Sequence, residues 1–322
     1  MARIVHVNDC AFVGSTIIKS LSVAHSDLVF QHITRTRGML DKTFGIALKI
    51  LMAKAELFHV HYLLQDCYLV NKFRRIPVIG HAHGSDLRAT FKSRNWGWVV
   101  RSNLKDSDKI VVSTPDILAL ARDHRDDSEY IPNPVDMTIF QPKPFQDHGH
   151  LVVFNPCDMS YVKGTHVFVE GFAKFQKSFP SSELRMIDFG AEKEIVKKRI
   201  RKMGVRNVKF LPEMRHEDMA EQYWNSDIVA ADFNLGILLM VSLEAMACGR
   251  PVVQYLRHEL YENAPVRSCQ TPDEISAALS QLSEAEARAK VVASQMEYVT
   301  ENHHPEKISR KILKIYRELT NK

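Results

Sequence analysis

The chain has 322 residues, with 43 Lys+Arg against 38 Asp+Glu and a formal net charge of +5. Its 45% hydrophobic and 25% charged residues are an ordinary globular composition with enough apolar residues for a real core, which excludes disorder as the dominant state. The surplus is weaker than a dedicated nucleic-acid module carries, and the most apolar uncharged run, 11 residues between Asp232 and Glu244, is too short to span a membrane.

In chain order, the N-terminal MARIVHVNDC places Asn8-Asp9 where a secretory leader needs apolar residues. Arg3–Val7 reads as a short strand, followed by the small-residue turn Gly14-Ser15-Thr16 and an apolar stretch that opens a helix. Leu28–Ile33 is a second strand. Gly38–Leu57 carries Leu40, Phe44, Leu48, Leu51 and Met52 at helical spacing. Leu57–Leu63, Pro77–His83 and Lys109–Ser113 are further strands, each separated by a segment of helix length. Strands alternating with helices predict parallel β-α-β units, a sheet covered by helices on both faces.

Ile131–Pro144 breaks the alternation with four of the 13 prolines, and proline removes donors and stops helices, so this segment reads as a linker. The alternation then restarts. Leu151–Asn155, Leu184–Phe189, Val208–Phe210, Ile228–Ala231 and Pro251–Gln254 are strands, and Thr165–Ser178 is a helix with Phe168, Phe172 and Phe175 on one face. Glu244–Cys248 continues a helix that Gly249 ends. Ser283–Tyr298 and Glu306–Leu319 are helical. Two doubly wound α/β domains result, and such domains bind ligands at the carboxyl ends of their strands. Cysteines 10, 67, 157, 248 and 269 are odd in number and widely spaced, which predicts reduced thiols in a cytoplasmic protein.

Several residues stand where chemistry can be done. In Ser242–Gln254, Glu244 sits near a helix start beside Asn234-Leu235-Gly236; free N–H groups there suit phosphate, and the carboxylate can accept two ribose hydroxyls. The bland reading is an acidic residue stabilised by the helix dipole. Lys163-Gly164 lies between a strand and a helix, where a lysine can neutralise a diphosphate, although a surface lysine in a turn is commoner. Gly14 permits close backbone approach, but neither G-x-G-x-x-G nor a P-loop is present. His83, opening His83-Gly84-Ser85-Asp86, ends a strand and can hydrogen-bond a sugar hydroxyl; a satisfied core histidine is the competing reading. His59 and His61, like His81 and His83, are two residues apart and share a strand face, so adjacent strands can gather four imidazoles around an ion. No carboxylate or Cys pair completes that set. His303-His304 reads as surface. Trp96 and Trp98 beside Arg94 and Arg101, with Lys72, Arg74 and Arg75 nearby, read as an amphipathic surface helix or as a rim for an anionic membrane.

HGSD at 83–86, IPNPVDMTIFQP, the Lys163-Gly164 turn and SLEAMACGRPVV resemble, in this order along the chain, the motifs of the retaining glycosyltransferases of family 4. The resemblance implies the GT-B fold, two Rossmann-like domains facing across a cleft. Residues 1–140 would be the acceptor-side domain, 141–300 the nucleotide-sugar domain, and 301–322 a C-terminal helix packing back on the first. It implies transfer of a sugar, with retention and without a metal or other cofactor, from a UDP- or GDP-sugar to a glycan, lipid or small-molecule acceptor. By position, Glu244 resembles the ribose-binding carboxylate and Lys163 the diphosphate lysine. Gly236, Ile237 and Leu238 resemble the loop whose amides contact the donor, Leu211 and Met214 resemble residues of the segment beside the base, Gly14 resembles the glycine under the diphosphate, and His83 resembles the histidine near the reacting sugar. The sequence departs from the pattern at Gly236, where the family has a second Glu, and at Cys157, where it has Arg.

Residues 1–140 hold 18 Lys+Arg against 14 Asp+Glu, which adds an anionic membrane surface, on the inner face, to the expected partners. Nucleic acid is not among them. A donor-binding subunit with weak or no activity, and a nucleotide-sugar epimerase of the same architecture, are the alternatives.

Overall fold

A computed structural model describes residues 1–35 and 45–320. Its contacts divide the chain into two compact units. The first comprises Met1–Pro134 with Asn302–Lys322, the second Val135–Glu301.

The first unit is built on β1 (Ala2–Val7), α1 (Val13–Ala24), β2 (Leu28–Ile33), α2 (Ile46–Met52), β3 (Leu57–His61), α3 (Gln65–Phe73), β4 (Val78–Ala82), the single-turn α4 (Ser85–Arg88), α5 (Gly97–Asp106), β5 (Lys109–Val112), α6 (Leu118–Arg122) and β6 (Glu129–Tyr130). The strands form a parallel sheet in the order β2-β1-β3-β4-β5-β6. Residues 38–44 of the expected helix over Gly38–Leu57 lie outside the described residues, and the helix described within the remainder is the short α2. Side-chain alternation sorts the strands. Val5, Val7, Phe58, Val60, Ala82, Ile110 and Val112 enter one apolar core, while His6, His59, His61 and His81 point to the other face and are all buried.

In the second unit, β7 (Val152–Asn155), α7 (Thr165–Ser178), β8 (Glu183–Ile187), α8 (Lys193–Lys202), β9 (Val208–Leu211), α9 (Met219–Trp224), β10 (Ile228–Ala230), α10 (Met240–Ala247), β11 (Val252–Val253) and α11 (Pro272–Gln281) alternate. The parallel order is β11-β10-β7-β8-β9. Phe168, Phe172 and Phe175 of α7 are fully buried, as their spacing requires. A capping box, in which the Thr271 hydroxyl and the Glu274 carboxylate satisfy each other's backbone amides, opens α11.

The chain ends in α12 (Ala285–Asn302) and α13 (Pro305–Thr320). Helix α13 packs on α1 and β3, burying Ile308, Ile312, Leu313, Ile315 and Tyr316 while Arg310, Lys314 and Arg317 lie outside that stripe. His303 corrects the expectation of a surface residue. It is 3% exposed and its Nδ1–H donates to the Asn133 carbonyl at 2.8 Å.

The proline-rich segment divides at Pro134, six residues before the expected boundary, because Arg250 ties its later part to the second unit. The Arg250 side chain is fully buried, and its guanidinium donates to the carbonyls of Lys143, Pro144, Tyr223, Trp224, Cys248 and Gly249. Truncation takes a charged donor from all six oxygens at once, so Arg250→Ala is expected to destabilise the second unit by about 3 kcal/mol or more. Urea unfolding followed by tryptophan fluorescence measures it, through Trp224 of that unit.

Candidate active site

In a doubly wound sheet the strand order reverses at one place, and the crevice outside the carboxyl ends of the two flanking strands is the natural ligand site. In the second unit the reversal lies between β7 and β10.

The chain leaving β7 passes Cys157 and reaches Lys163 and Gly164 before α7. Lys163 is half-buried, its carbonyl accepts from the Phe233 amide at 3.0 Å, and its ammonium acts on the Asp232 carboxylate and the Cys157 thiol. Burial pushes that thiol up to about 12, so the position of the family's Arg holds a neutral group. The chain leaving β10 passes Asp232, which is fully buried. Its carboxylate accepts from the amides of Asn234, Leu235 and Gly236 at 3.3, 3.1 and 2.7 Å. Burial raises its pKa, while these amides and Lys163 oppose the rise.

These bonds alter the expected role of the loop. The Gly236 amide is spent on Asp232, and the Leu238 amide donates to the Tyr261 hydroxyl at 3.2 Å. Ile237 and Leu238 are buried in the apolar cluster around Phe154 and Tyr223. Gly236 itself has φ +71°, and a Cβ there would stand 2.7 Å from the Tyr255 ring. A glutamate cannot enter this backbone without rebuilding it, which gives a physical reason for the departure.

Glu244, on α10, is buried and held at both oxygens. His216 Nε2 lies 2.6 Å from Oε1, and the Tyr223 hydroxyl donates to Oε2 at 3.0 Å. Burial, then the Glu244 charge, raises the Tyr223 phenol well above its ordinary pKa. An ionised carboxylate offers about four lone-pair sites, so it retains acceptors for a ligand. Leu211 and Met214, at and after the end of β9, are half-buried against the same apolar cluster. His216 and Tyr223 escaped the sequence analysis, and Asp232 was given no role because its spacing does not match the family's second Glu. Only Asp232 carried a signal, as an acid at a strand end.

In the first unit the reversal lies between β1 and β3. A cleft of about 400 Å³ opens there, lined by Asn8, Asp9, Thr34, Arg35, Tyr62, Leu64 and Asp66. Asn8, Ala11, Phe12 and Tyr62 beside it have positive φ, a costly conformation for residues with a Cβ. Asp9 receives the amides of Gly14 and Ser15 at 2.8 and 3.1 Å, filling the anion position of α1 with a protein carboxylate. A Cβ on Gly14 would stand 2.7 Å from His61 Nε2, so close packing on His61 already demands glycine.

His83 follows β4 and stands against the buried imidazoles. Its Nε2 lies 2.9 Å from His61 Nδ1. The triads His6, His59, His61 and His61, His81, His83 each bring three nitrogens within 4.8 Å of one another, which realises the predicted gathering of imidazoles and adds His6. Burial drives the His6, His59, His81 and His83 pKa values well below the ordinary range, with neighbouring imidazoles adding to it. His61 falls to about 4, mainly by burial and against the pull of Asp9. Asp86 braces this turn, accepting from the amides of Leu63 and Gly84 at 3.0 and 2.9 Å.

The sequence matches the family model for group 1 glycosyl transferases over residues 136–261 and that for glycosyltransferase family 4 over residues 5–138. No curated protein matches it. Among solved structures, Anabaena HepE in complex with UDP and glucose is similar at a TM-score of 0.75 and 14% identity, covering 99% of this chain and 100% of that one. Sucrose-phosphate synthase from Thermosynechococcus elongatus reaches 0.78 at 15% identity, covering 99% of both. A putative UDP-N-acetylglucosamine 2-epimerase from Listeria monocytogenes reaches 0.66 at 10%, covering 98% and 95%. Two Rossmann-like α/β units of parallel strands define the GT-B class. The chain belongs to the group 1 glycosyltransferases of that class.

The low pKa values have a consequence for stability. His61 and His303, both at about 4 when folded, sit near 6.5 when unfolded. Their stabilisation is complete above pH 6.5 and is lost as pH falls toward 4, because the unfolded chain takes up protons that the folded one refuses. Unfolding free energy of the first unit is expected to fall by about 3 kcal/mol or more between pH 7 and 4.5. Urea titrations at stepped pH measure it, and His303→Asn is expected to reduce the slope.

Proposed function

We propose that the protein transfers a sugar with retention, and without a metal, from a UDP- or GDP-sugar to a glycan, lipid or small-molecule acceptor on the cytoplasmic side. The observation that carries this reading is Lys163, in the segment between β7 and α7, beside the Asp232–Leu239 loop that follows β10, in the unit matched by the group 1 family. Lys163 makes no hydrogen bond through its ammonium among the described residues, so it is available to the departing diphosphate. A fixed positive charge where negative charge develops lowers the barrier without a nucleophile. Glu244, oriented by His216 and Tyr223, accepts the ribose hydroxyls. Leu211 and Met214 flank the base. In the first unit His83 faces the reacting sugar, while Asp9 holds the Gly14 amide, against the diphosphate role that the resemblance gives that glycine.

A donor-binding subunit is the second reading. It is favoured by Cys157 in place of a charge and by Asp232 occupying the Gly236 amide.

Lys163→Ala is expected to weaken UDP- or GDP-sugar binding about tenfold to a hundredfold, about 1.5–3 kcal/mol, and to lower kcat, with the melting temperature unchanged. Calorimetry over a donor panel measures it, and an unchanged Kd would remove Lys163 from the site. Donor bound tightly with no transfer or hydrolysis by the purified protein would favour the subunit reading.

An anionic membrane is the proposed partner of the first unit. Among the described residues no helix is long and apolar enough to cross a membrane. Met52 is 72% and Phe73 63% exposed, and Arg74 ties their helices together through the Leu51 and Ala53 carbonyls at 2.8 and 2.7 Å. Trp98, half exposed, meets Tyr68 edge-on. Apolar side chains among Lys49, Lys72, Arg74 and Arg75 suit a headgroup boundary. The protein is expected to sediment with phosphatidylglycerol vesicles at low salt and to be released by high salt. Phe73→Asp should lower the bound fraction severalfold.

A further inference from the structure

The five imidazoles and Tyr316 form one unbranched chain of hydrogen bonds. His83 Nε2 meets His61 Nδ1 at 2.9 Å, His61 Nε2 meets His6 Nδ1 at 3.1 Å, and His6 Nε2 meets the Tyr316 hydroxyl at 2.8 Å. The same hydroxyl meets His59 Nδ1 at 2.7 Å, and His59 Nε2 meets His81 Nδ1 at 3.0 Å. The three ring-to-ring junctions are nearly coplanar and end to end, with interplanar angles of 30°, 23° and 20° and centroids 5.2–5.4 Å apart. Lone pairs aimed along these junctions face a neighbouring N–H and do not converge on a common centre, as coordination of an ion would require. Both ends, His83 Nδ1 and His81 Nε2, lack a protein partner among the described residues.

A neutral imidazole has one donor nitrogen and one acceptor nitrogen, and a phenol has one proton. Passing one proton through each of the five junctions leaves three arrangements. The one in which Tyr316 accepts from both His6 and His59 strands its hydroxyl proton in a place 1% exposed, which leaves two in which the phenol also donates. In one, all five rings carry hydrogen at Nδ1; in the other, all five carry it at Nε2. The first leaves an unpaired N–H at His83 Nδ1, an atom that is itself buried but belongs to a half-buried residue at the strand end. The second leaves it at His81, which is 1% exposed. An orphaned N–H is costlier in the deeper place, where a bare acceptor is tolerated better.

We propose that Tyr316 is a positioning residue that joins the two branches and locks all five histidines in the Nδ1–H tautomer, so that His83 presents a hydrogen-bond donor at Nδ1. Tyr316 donates to His6 and accepts from His59, and this polarity propagates outward to both ends. The depressed pKa values agree with rings that stay neutral throughout. The functional consequence rests on the reading of His83 as facing the reacting sugar: its Nδ1–H can donate to a sugar oxygen but cannot act as a base.

The test is long-range ¹H–¹⁵N NMR of the full chain with ¹⁵N-histidine, with signals assigned by single His→Gln variants, at pH 7.5 and without donor. All five are expected to show the Nδ1–H pattern. In Tyr316→Phe, His6 and His59 lose their shared partner, and at least one branch is expected to show Nε2–H or exchange between tautomers. An Nε2–H tautomer or an imidazolium at any of the five in the wild type would overturn the proposal. So would stoichiometric submicromolar Zn²⁺ binding, seen by calorimetry, that His59→Gln abolishes. If the protein transfers sugar, Tyr316→Phe is expected to lower kcat about tenfold with donor KM unchanged. Absence of all transfer would instead fail the functional reading and leave the NMR result standing.

Discussion

A parallel sheet covered on both faces gives its interior polar groups no water, so each must find a partner in the protein. In the first unit this constraint falls on five imidazoles at once. They meet it by bonding to each other and to Tyr316, a residue 310 positions from His6 in the chain. The C-terminal helix is therefore part of the N-terminal sheet's hydrogen-bonding as well as of its apolar packing. His303, bonded to the Asn133 carbonyl, anchors that helix at its start.

The second unit answers the same constraint differently. Arg250 gathers four carbonyls at the ends of α9 and α10 and two, of Lys143 and Pro144, from the proline-rich segment, and so attaches that segment to this unit. Glu244, on α10, the helix that Arg250 follows, has both oxygens held, which keeps a buried carboxylate in one orientation. At the strand-order reversal, Asp232 takes the loop amides that the family pattern would offer to a ligand. The two departures from that pattern, Gly236 and Cys157, belong to a single altered neighbourhood: a left-handed glycine whose amide faces Asp232, and a neutral thiol near the same Asp232–Lys163 pair.

Much of this was legible beforehand. Period-two apolar runs and the phenylalanine stripe of α7 placed strands and helices, because local periodicity reports which face is buried. Glu244 and Lys163 stood out as candidates because their motifs are contiguous. His216 and Tyr223 were not: they precede Glu244 by 28 and 21 residues, and only folding brings them to its carboxylate. Asp232 was visible as an acid but not as the cap of a loop, since that depends on backbone geometry. His303 was misread because a polar pair in a tail gives no sign of a distant carbonyl.

By itself, the sequence determined the alternation of elements, the two α/β units and the strand ends where chemistry can sit, since these follow from side-chain period and turn residues. The pairing of His59 with His81 and of His61 with His83 was foreshadowed by their two-residue spacing. That these rings bond in line, that His6 continues the chain and that Tyr316 closes it were decided only by the tertiary structure. Hydrogen-bond direction depends on distances between residues far apart in sequence, and no local pattern encodes it.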